Sequence, residues 1–200
     1  MSCQNLIEYN LLVQMAYHTK RGTVRSPFGM RRITTNLRDN ETHFHGGIDV
    51  GASFGTRFYI PKEYKDRTQF GYQMFNGQYI TVVGDKYILH ILHLVRVLLV
   101  KDKNSPYYCV GLANSTGSST GDHFHFEIHL KGVPVDQSGR GKVDPLQVFS
   151  ECDLVTGYKQ SGVNNMNVPI YQIEGLKVAF HDPCPRFSIQ RDPNSGKCPI

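Results

Sequence analysis

Three histidines lie close together in one short stretch of the sequence. In GDHFHFEIHL, residues 121–130, His123 and His125 are two positions apart. Side chains two apart on a β-strand point to the same face of the sheet, so both imidazoles would face one way while Phe124 and Phe126 pack behind them. Such imidazoles can bind a metal or transfer protons, although an H-x-H pair alone is also typical of a polar strand face.

A second stretch favours the metal interpretation. HFHGGIDV, residues 43–50, holds His45 and Asp49 at H-x3-D spacing, and the two glycines between them let the backbone turn tightly. Imidazole and carboxylate are both zinc ligands, and three protein ligands with one open position form the usual catalytic arrangement. His45, Asp49 and one histidine of the H-x-H pair would complete such a site. His43 stays open as an alternative first ligand.

Other histidines and one glutamate are expected to stay outside the ligand set. Glu127 and His129 follow the H-x-H pair on the same strand face, but each two-residue step moves about 7 Å along the strand. His90 precedes His93 by three residues, so on a regular strand it would face the opposite side and pack or meet solvent. We predict that His18 is a structural or surface residue.

Strands are the elements that must position these side chains. The segment 78–94, QYITVVGDKYILHILHL, is typical of a hairpin with its turn near Gly84-Asp85. Residues 4–18 mix apolar and polar positions at helical spacing, which predicts a short N-terminal helix. Further segments are the strands TRFYIP (56–61) and YYCVGLA (107–113), the glycine- and serine-rich loop 114–121, and the turn into a short helix VDPLQVF (143–149).

Composition narrows the class of protein. The 200 residues are 40% apolar and 20% charged, which suffices for a large domain with a sizeable core. The formal charge of +5 suits an anionic partner such as a cell wall. The sequence has no run of five or six like charges and no nucleic-acid-binding motif, so nucleic acid is disfavoured as the partner. Five cysteines without a CxxC pair disfavour a disulfide framework, although one bridge between Cys184 and Cys198 stays open. No stretch reaches the roughly 18 apolar residues of a membrane span.

Five ordered pieces of the sequence resemble a known family. They are SPFGMR, HGGIDVGASFGTRFYIP, ILHL, VGLANSTGSSTGDHFHFEI and VDPLQVF. Their order and rough spacing are similar to those of the lysostaphin/LytM-like zinc endopeptidases, peptidase family M23, over about residues 22–149. The resemblance implies a mainly antiparallel β-sheet groove, of the duplicated hybrid motif type, with zinc on its floor.

The resemblance also implies a role for each matching residue. His45, Asp49 and His125 match the ligands of one zinc ion per chain, and His93 and His123 match two catalytic histidines. One catalytic histidine would act as general base and the other would orient water or stabilise the oxyanion. We favour His123 as the base, with the division of roles left open. The chain departs from the family pattern in having Ile91 where a tyrosine is usual, and no tyrosine in RRITTNLRDNET (31–42).

The predicted function is hydrolysis of peptide cross-links or stem peptides of bacterial peptidoglycan, with the bond left open. We predict an N-terminal lead-in (1–20), an M23-like peptidase domain (21–150) and a loop-rich C-terminal extension (151–200). The first residues lack the pattern of a signal peptide, so we expect another route to the cell wall or periplasm. We favour transport on a phage particle, with release through a holin-like route left open. The extension would then bind other tail or virion proteins.

Other functions have weaker support in the sequence. A non-catalytic wall-binding or structural module would keep the fold but typically lacks ligands or catalytic histidines, whereas all five positions are filled here. Neither H-E-x-x-H nor G-x-S-x-G occurs, which disfavours zincins and serine hydrolases. A second zinc site at His181, Cys184 and Cys198 would match no common ligand spacing.

Overall fold

An antiparallel sheet and an N-terminal helix build the described part of the chain. The computed structural model describes residues 2–32, 42–100, 107–164 and 167–178. Its helices are α1 (Tyr9–Arg21) and α2 (Pro145–Glu151), with 3-10 turns at Cys3–Asn5 and Lys62–Arg67. The strands are β1 (Val24–Ser26), β2 (Gly29–Arg32), β3 (Thr42–His45), β4 (Ile48–Gly51), β5 (Arg57–Pro61), β6 (Thr68–Gln73), β7 (Gly77–Val83), β8 (Tyr87–Val100), β9 (Tyr107–Ala113), β10 (His123–Leu130), β11 (Lys142–Val143), β12 (Gly157–Val163) and β13 (Pro169–Glu174).

Eleven of these strands form one sheet. Its order is β12-β13-β1-β4-β10-β8-β7-β6, with β11 paired to β10, and β9 paired to both β8 and β5. Strands β2 and β3 form a separate two-stranded ribbon. The arrangement confirms the predicted mainly antiparallel β fold with an N-terminal helix, and the predicted hairpin is β7–β8. No helix among the described residues is long and apolar enough to cross a membrane.

The two faces of β10 separate the core from the histidines. Phe124, Phe126 and Ile128 are fully buried in the core, so the alternating histidines face the other side of the sheet. Helix α1 covers the core face with buried side chains, which are Leu11, Leu12, Met15 and Ala16. The central strand is therefore held from behind by apolar packing while its polar face stays available.

A buried carboxylate ties the start of α1 to the β7–β8 turn. Glu8 is fully buried and accepts hydrogen bonds from the backbone N–H groups of Asp85, Lys86 and Tyr87, at 2.7, 2.9 and 2.8 Å. The carboxylate thereby satisfies three buried donors of the turn. Gln14 similarly joins α1 to the backbone N–H and carbonyl of Tyr59 in β5.

We expect Glu8→Gln to lower the free energy of unfolding by about 2–3 kcal/mol, because hydrogen bonds to a charged group are the strong ones and an amide cannot replace all three. Urea unfolding followed by circular dichroism measures this difference. Glu63→Gln is the matched control, since Glu63 is exposed, and it should change stability by no more than about 0.5 kcal/mol. Equal effects of the two substitutions would contradict the role given to Glu8.

A buried histidine makes stability sensitive to acid. His18 lies in the core against the rings of Phe58 and Phe124, and burial, with the nearby Arg21 charge, lowers its pKa from 6.5 to about 3. Because the unfolded chain binds this proton more readily, stability should fall as the pH drops from 6.5 towards 3, by about 1.4 kcal/mol per pH unit. Urea unfolding should show that the wild type loses about 2 kcal/mol more than His18→Phe between pH 6.5 and 5. Identical losses would contradict this.

The region after α2 differs from the expected loop. Strands β12 and β13 form a hairpin, and β13 joins the main sheet through β1, where Tyr171 pairs with Val24. The side chains of β12 are largely exposed, so its sequence lacks the apolar alternation by which half-buried strands are recognised. Residues 179–200, with His181, Cys184 and Cys198, lie outside the described residues.

A disulfide that was not predicted from the sequence joins two distant parts of the chain. Cys3 bonds to Cys152, 149 residues away, and Cys109 is a buried thiol. The bond links the first turn of the chain to the end of α2, two regions that also share the core. It supplies a long-range covalent constraint of the kind common in oxidising compartments.

Candidate metal centre and active site

Three donor atoms converge on one point of the polar sheet face. Asp49 Oδ1 lies 2.7 Å from His125 Nδ1 and 3.2 Å from His45 Nε2, and the two nitrogens are 3.1 Å apart. Zinc bonds of about 2.0 Å in a tetrahedron would put neighbouring ligand atoms about 3.3 Å apart. Two imidazole nitrogens and one carboxylate oxygen at this spacing therefore fit one zinc ion, with a corner left open. Among the described residues, this set is a group of side chains that could hold a metal ion.

Strand register and a tight turn bring the three side chains together. His45 ends β3, Asp49 lies in β4 after the Gly46-Gly47 turn, and β10 pairs with β4 so that His125 lies opposite Asp49. A side chain at Gly47 would collide with the carbonyl oxygen of Phe126. Gly47 is thus required because the backbone of this turn lies directly against the backbone of β10.

Hydrogen bonds outside the cluster orient both histidines. His45 Nδ1 lies 2.7 Å from the Pro27 carbonyl oxygen, so this nitrogen carries the proton and Nε2 turns its lone pair to the cluster. On His125 the roles are reversed: Nδ1 faces the cluster and Nε2 lies 3.1 Å from Glu127 Oε1. A carboxylate or carbonyl on the far nitrogen is the usual support of a metal-binding imidazole.

The charges of the cluster suit a divalent cation. Burial by itself would raise the pKa of Asp49, but the surrounding imidazoles of His123, His125 and His45 hold it well below its usual range. Burial would lower the pKa of His125, but its hydrogen bonds to Asp49 and Glu127 raise it to about 9. The carboxylate is therefore ionised, and a metal that binds His125 must displace a proton.

Two further histidines flank the cluster. The ring centroid of His93 lies 4.8 Å from that of His123 and 5.7 Å from that of His125, and His123 Nε2 lies 3.4 Å from Asp49 Oδ1. Each donates its Nδ1 proton to a backbone carbonyl at 2.7 Å, His93 to Thr116 and His123 to Gly121. Both Nε2 atoms are consequently left as proton acceptors.

The position of His93 depends on an irregular strand. Its φ is 62°, in the left-handed region that residues other than glycine rarely adopt. The β7–β8 register shifts at this point, which marks a β-bulge in β8. The backbone N–H of His93 leaves the ladder and bonds to the Asn76 carbonyl at 3.1 Å. Burial lowers the pKa of His93 to about 4, so it is neutral at pH 7. Backbone strain at such a position is typical of functional sites.

The bulge also corrects the prediction for His90. We expected it on the side of the sheet opposite His93, but His90 lies across from Glu127 in the β8–β10 register, and its ring contacts that of His129 with centroids 4.3 Å apart. The extra residue in β8 breaks the alternation on which the prediction rested. His90 is packed, as expected, with Nδ1 2.9 Å from Thr81 Oγ1.

The glycine- and serine-rich loop has a role that the sequence did not reveal. It supplies the carbonyls of Thr116 and Gly121 that orient the two flanking histidines, and Ser119 Oγ lies 3.3 Å from His123 Nδ1. Thr116 Oγ1 in turn donates to the Leu94 carbonyl at 2.9 Å. The loop is thus held to β8, and it carries the acceptors at fixed positions.

Glu127 is closer to the cluster than its strand position suggested. It is not one of the three candidate ligands, as predicted, yet it contacts His125 and also lies 2.7 Å from His129 Nε2 and 3.0 Å from Lys142 Nζ. Burial would raise its pKa, but these partners hold it well below its usual range. Glu127 lies two residues beyond His125 on β10, and the side chains of the two residues are long enough to meet across that distance. His43, the alternative ligand, is exposed.

Comparison with known proteins finds relatives among peptidoglycan endopeptidases. No family model matches the chain. It is 28% identical to the peptidoglycan DD-endopeptidase ShyC of Vibrio cholerae over 123 residues, 57% of this chain and 28% of that protein. It is 31% identical to ShyA, a peptidoglycan DD-endopeptidase of the same organism, over 114 residues, 52% of this chain and 26% of that protein. These similarities support the resemblance of the chain to peptidase family M23. The chain covers little more than a quarter of each Vibrio relative's length.

One similar solved structure is the catalytic domain of the antimicrobial peptidase lysostaphin from Staphylococcus simulans. The comparison has a TM-score of 0.48 and 16% identity, and it covers 68% of this chain and 97% of that domain.

We expect Glu127→Gln to weaken zinc binding about 10–100-fold, because loss of an outer partner of a metal-binding histidine has that effect. Competition with a chromophoric zinc chelator measures the affinity. Glu174→Gln serves as the control, since Glu174 pairs with Lys159 on the half-exposed β12–β13 hairpin. An unchanged affinity in Glu127→Gln would show that His125 needs no such support.

Proposed function

We propose that this chain is a zinc-dependent endopeptidase that hydrolyses peptide cross-links or stem peptides of bacterial peptidoglycan. The observation that carries the proposal is that His45 Nε2, Asp49 Oδ1 and His125 Nδ1 lie within 3.2 Å of one another. His93 and His123 lie beside them, each held by a backbone carbonyl. The names of the two Vibrio relatives, both peptidoglycan DD-endopeptidases, support the choice of substrate.

The chemistry is divided between the ion and the two flanking histidines. When bound, zinc would polarise the scissile carbonyl and make water more acidic. We assign the general base role to His123, because its Nε2 lies 3.4 Å from Asp49 Oδ1, next to the candidate ligands. His93, neutral because burial lowers its pKa to about 4, orients the attacking water through Nε2. Both rings can act without rearrangement, since backbone carbonyls already hold their Nδ1 protons.

The test is digestion of purified peptidoglycans of defined cross-link type, with mass spectrometry of the new termini. The expected result is one new amino and one new carboxyl terminus at a single kind of peptide bond, lost with a chelator and restored by zinc. His43→Ala is the matched control, because His43 is an exposed histidine outside the cluster. Peptidoglycan that binds the protein but yields no new termini would instead support a non-catalytic wall-binding module.

We further infer that the protein acts outside the cytoplasm, at the bacterial cell wall. The Cys3–Cys152 bond supports this, because structural disulfides persist in oxidising compartments. Delivery by a phage particle, with the C-terminal region bound to tail or virion proteins, stays a prediction from the sequence. Mass spectrometry of purified particles tests it: the chain should copurify with them at a fixed stoichiometry.

A further inference from the structure

A positively charged pocket adjoins the active site on the β1 side. It has a volume of about 460 Å³, and its lining includes Arg21, Thr23, Arg25, Gly51, Ser53 and Asp122. Two arginines and one aspartate leave it with one excess positive charge, which suits a singly charged anion rather than a phosphate dianion. None of these residues has a part in the metal chemistry described above.

The β4–β10 register places this pocket next to a flanking histidine. Gly51 lies opposite His123, and Gly51 follows Asp49 by two residues, so both face the polar side of the sheet. A Cβ atom on Gly51 would lie 2.6 Å from Arg25 Nε and 3.0 Å from Arg25 Nη2. The guanidinium of Arg25 therefore lies over Gly51, one strand spacing of about 5 Å from the His123 backbone.

The chemistry of Arg25 fits recognition of a carboxylate. Its side chain is exposed, and among the residues that the structure describes its guanidinium forms no ion pair with another side chain. A planar guanidinium can bind a carboxylate through two parallel hydrogen bonds, and such charge-assisted pairs give geometric specificity. The hydroxyls of Thr23 and Ser53 in the same pocket offer additional donors.

We propose that Arg25 binds a free carboxylate carried by the peptide substrate on the residue beside the scissile amide. This rests on the proposed function and narrows its substrate class. A cross-link to the D-centre of a diamino diacid, such as diaminopimelate, has a carboxylate on the carbon that bears the linked nitrogen. A cross-link to a lysine side chain or to a glycine bridge has none at that place. The pocket therefore favours the diamino diacid cross-link.

The test uses two synthetic cross-linked peptides that differ only in this group, one with the free carboxylate and one with the carboxamide. The measured quantity is the ratio of kcat/KM for the two peptides, with zinc-loaded full-length protein. We expect the wild type to prefer the carboxylate about 10–100-fold, as one charge-assisted hydrogen-bonded pair allows. In Arg25→Gln the ratio should fall towards 1. Lys159→Gln, which removes an exposed cation on β12, should leave the ratio unchanged.

A second variant tests whether the position of the Arg25 guanidinium matters as well as its charge. Gly51→Ala keeps Arg25 but pushes its guanidinium off the glycine, and the ratio should fall here as well. Cleavage of both peptides with the wild-type ratio in Arg25→Gln would overturn the role of Arg25 alone. Failure of the wild type to cleave either peptide would overturn the proposed function and this inference with it.

Discussion

Replacing His125 with alanine should remove the bound zinc and the hydrolytic activity together. The substitution takes away Nδ1, which lies 2.7 Å from Asp49 Oδ1 and 3.1 Å from His45 Nε2, and leaves two protein ligands. Catalytic zinc sites normally have three. Because loss of an outer partner alone costs 10–100-fold in affinity, loss of a ligand should cost roughly a thousandfold or more.

The measurement is zinc content per chain after dialysis against a buffered zinc solution, made alongside the release of peptidoglycan termini. Wild type should hold one zinc ion, and His125→Ala should hold almost none. Asp49→Asn gives an independent second variant, since it keeps the shape of the side chain but not its charge. His43→Ala should keep both metal and activity. Full zinc occupancy in His125→Ala would mean that other residues bind the ion.

Replacing either flanking histidine should abolish most of the activity while the zinc stays bound. General acid–base groups contribute about 10²–10⁴-fold to rate, and each of these rings keeps Nε2 as a proton acceptor because a backbone carbonyl holds its Nδ1 proton. His123→Ala and His93→Asn are the variants of choice. Asparagine suits position 93 because it tolerates the left-handed backbone, φ 62°, better than most residues.

Steady-state kinetics and zinc content together separate this effect from loss of the metal. Both variants should retain one zinc ion and a wild-type thermal midpoint, with kcat lowered about a hundredfold or more. A variant with near-normal kcat would exclude its histidine from the reaction.

Several features of the site were predictable because they depend on local geometry. Alternation along β10 placed His123 and His125 on one face, and Phe124 and Phe126 in the core. The H-x3-D spacing around a glycine pair, together with the family resemblance, singled out His45 and Asp49. These residues meet His125 in the structure.

Other features depend on long-range contacts and could not be read from the sequence. The bulge at His93 places His90 on an unexpected face, and nothing in ILHILHL marks it. The carbonyls that orient the flanking histidines belong to backbone, so side-chain chemistry gives no sign of them. Glu8 likewise looks like an ordinary helix-start acid, although it is fully buried beneath the β7–β8 turn, some 77 residues away.

The region after α2 shows why sheet edges are hard to predict. Strand β12 exposes nearly all of its side chains, so no apolar pattern distinguishes it from a loop. It is held by pairing with β13, which in turn pairs with β1 through residues 147 positions apart. Such a contact exists only once the sheet has formed, and the disulfide between Cys3 and Cys152 is long-range in the same sense.

The most direct test of the proposed metal centre is anomalous diffraction at the zinc edge from crystals of the zinc-loaded protein. The structure predicts one strong peak per chain, about 2.0–2.2 Å from His45 Nε2, an Asp49 carboxylate oxygen and His125 Nδ1. His93 and His123 should flank the ion without binding it. A peak bound by His43, or one bound through His125 Nε2, would contradict the arrangement and the mechanism built on it.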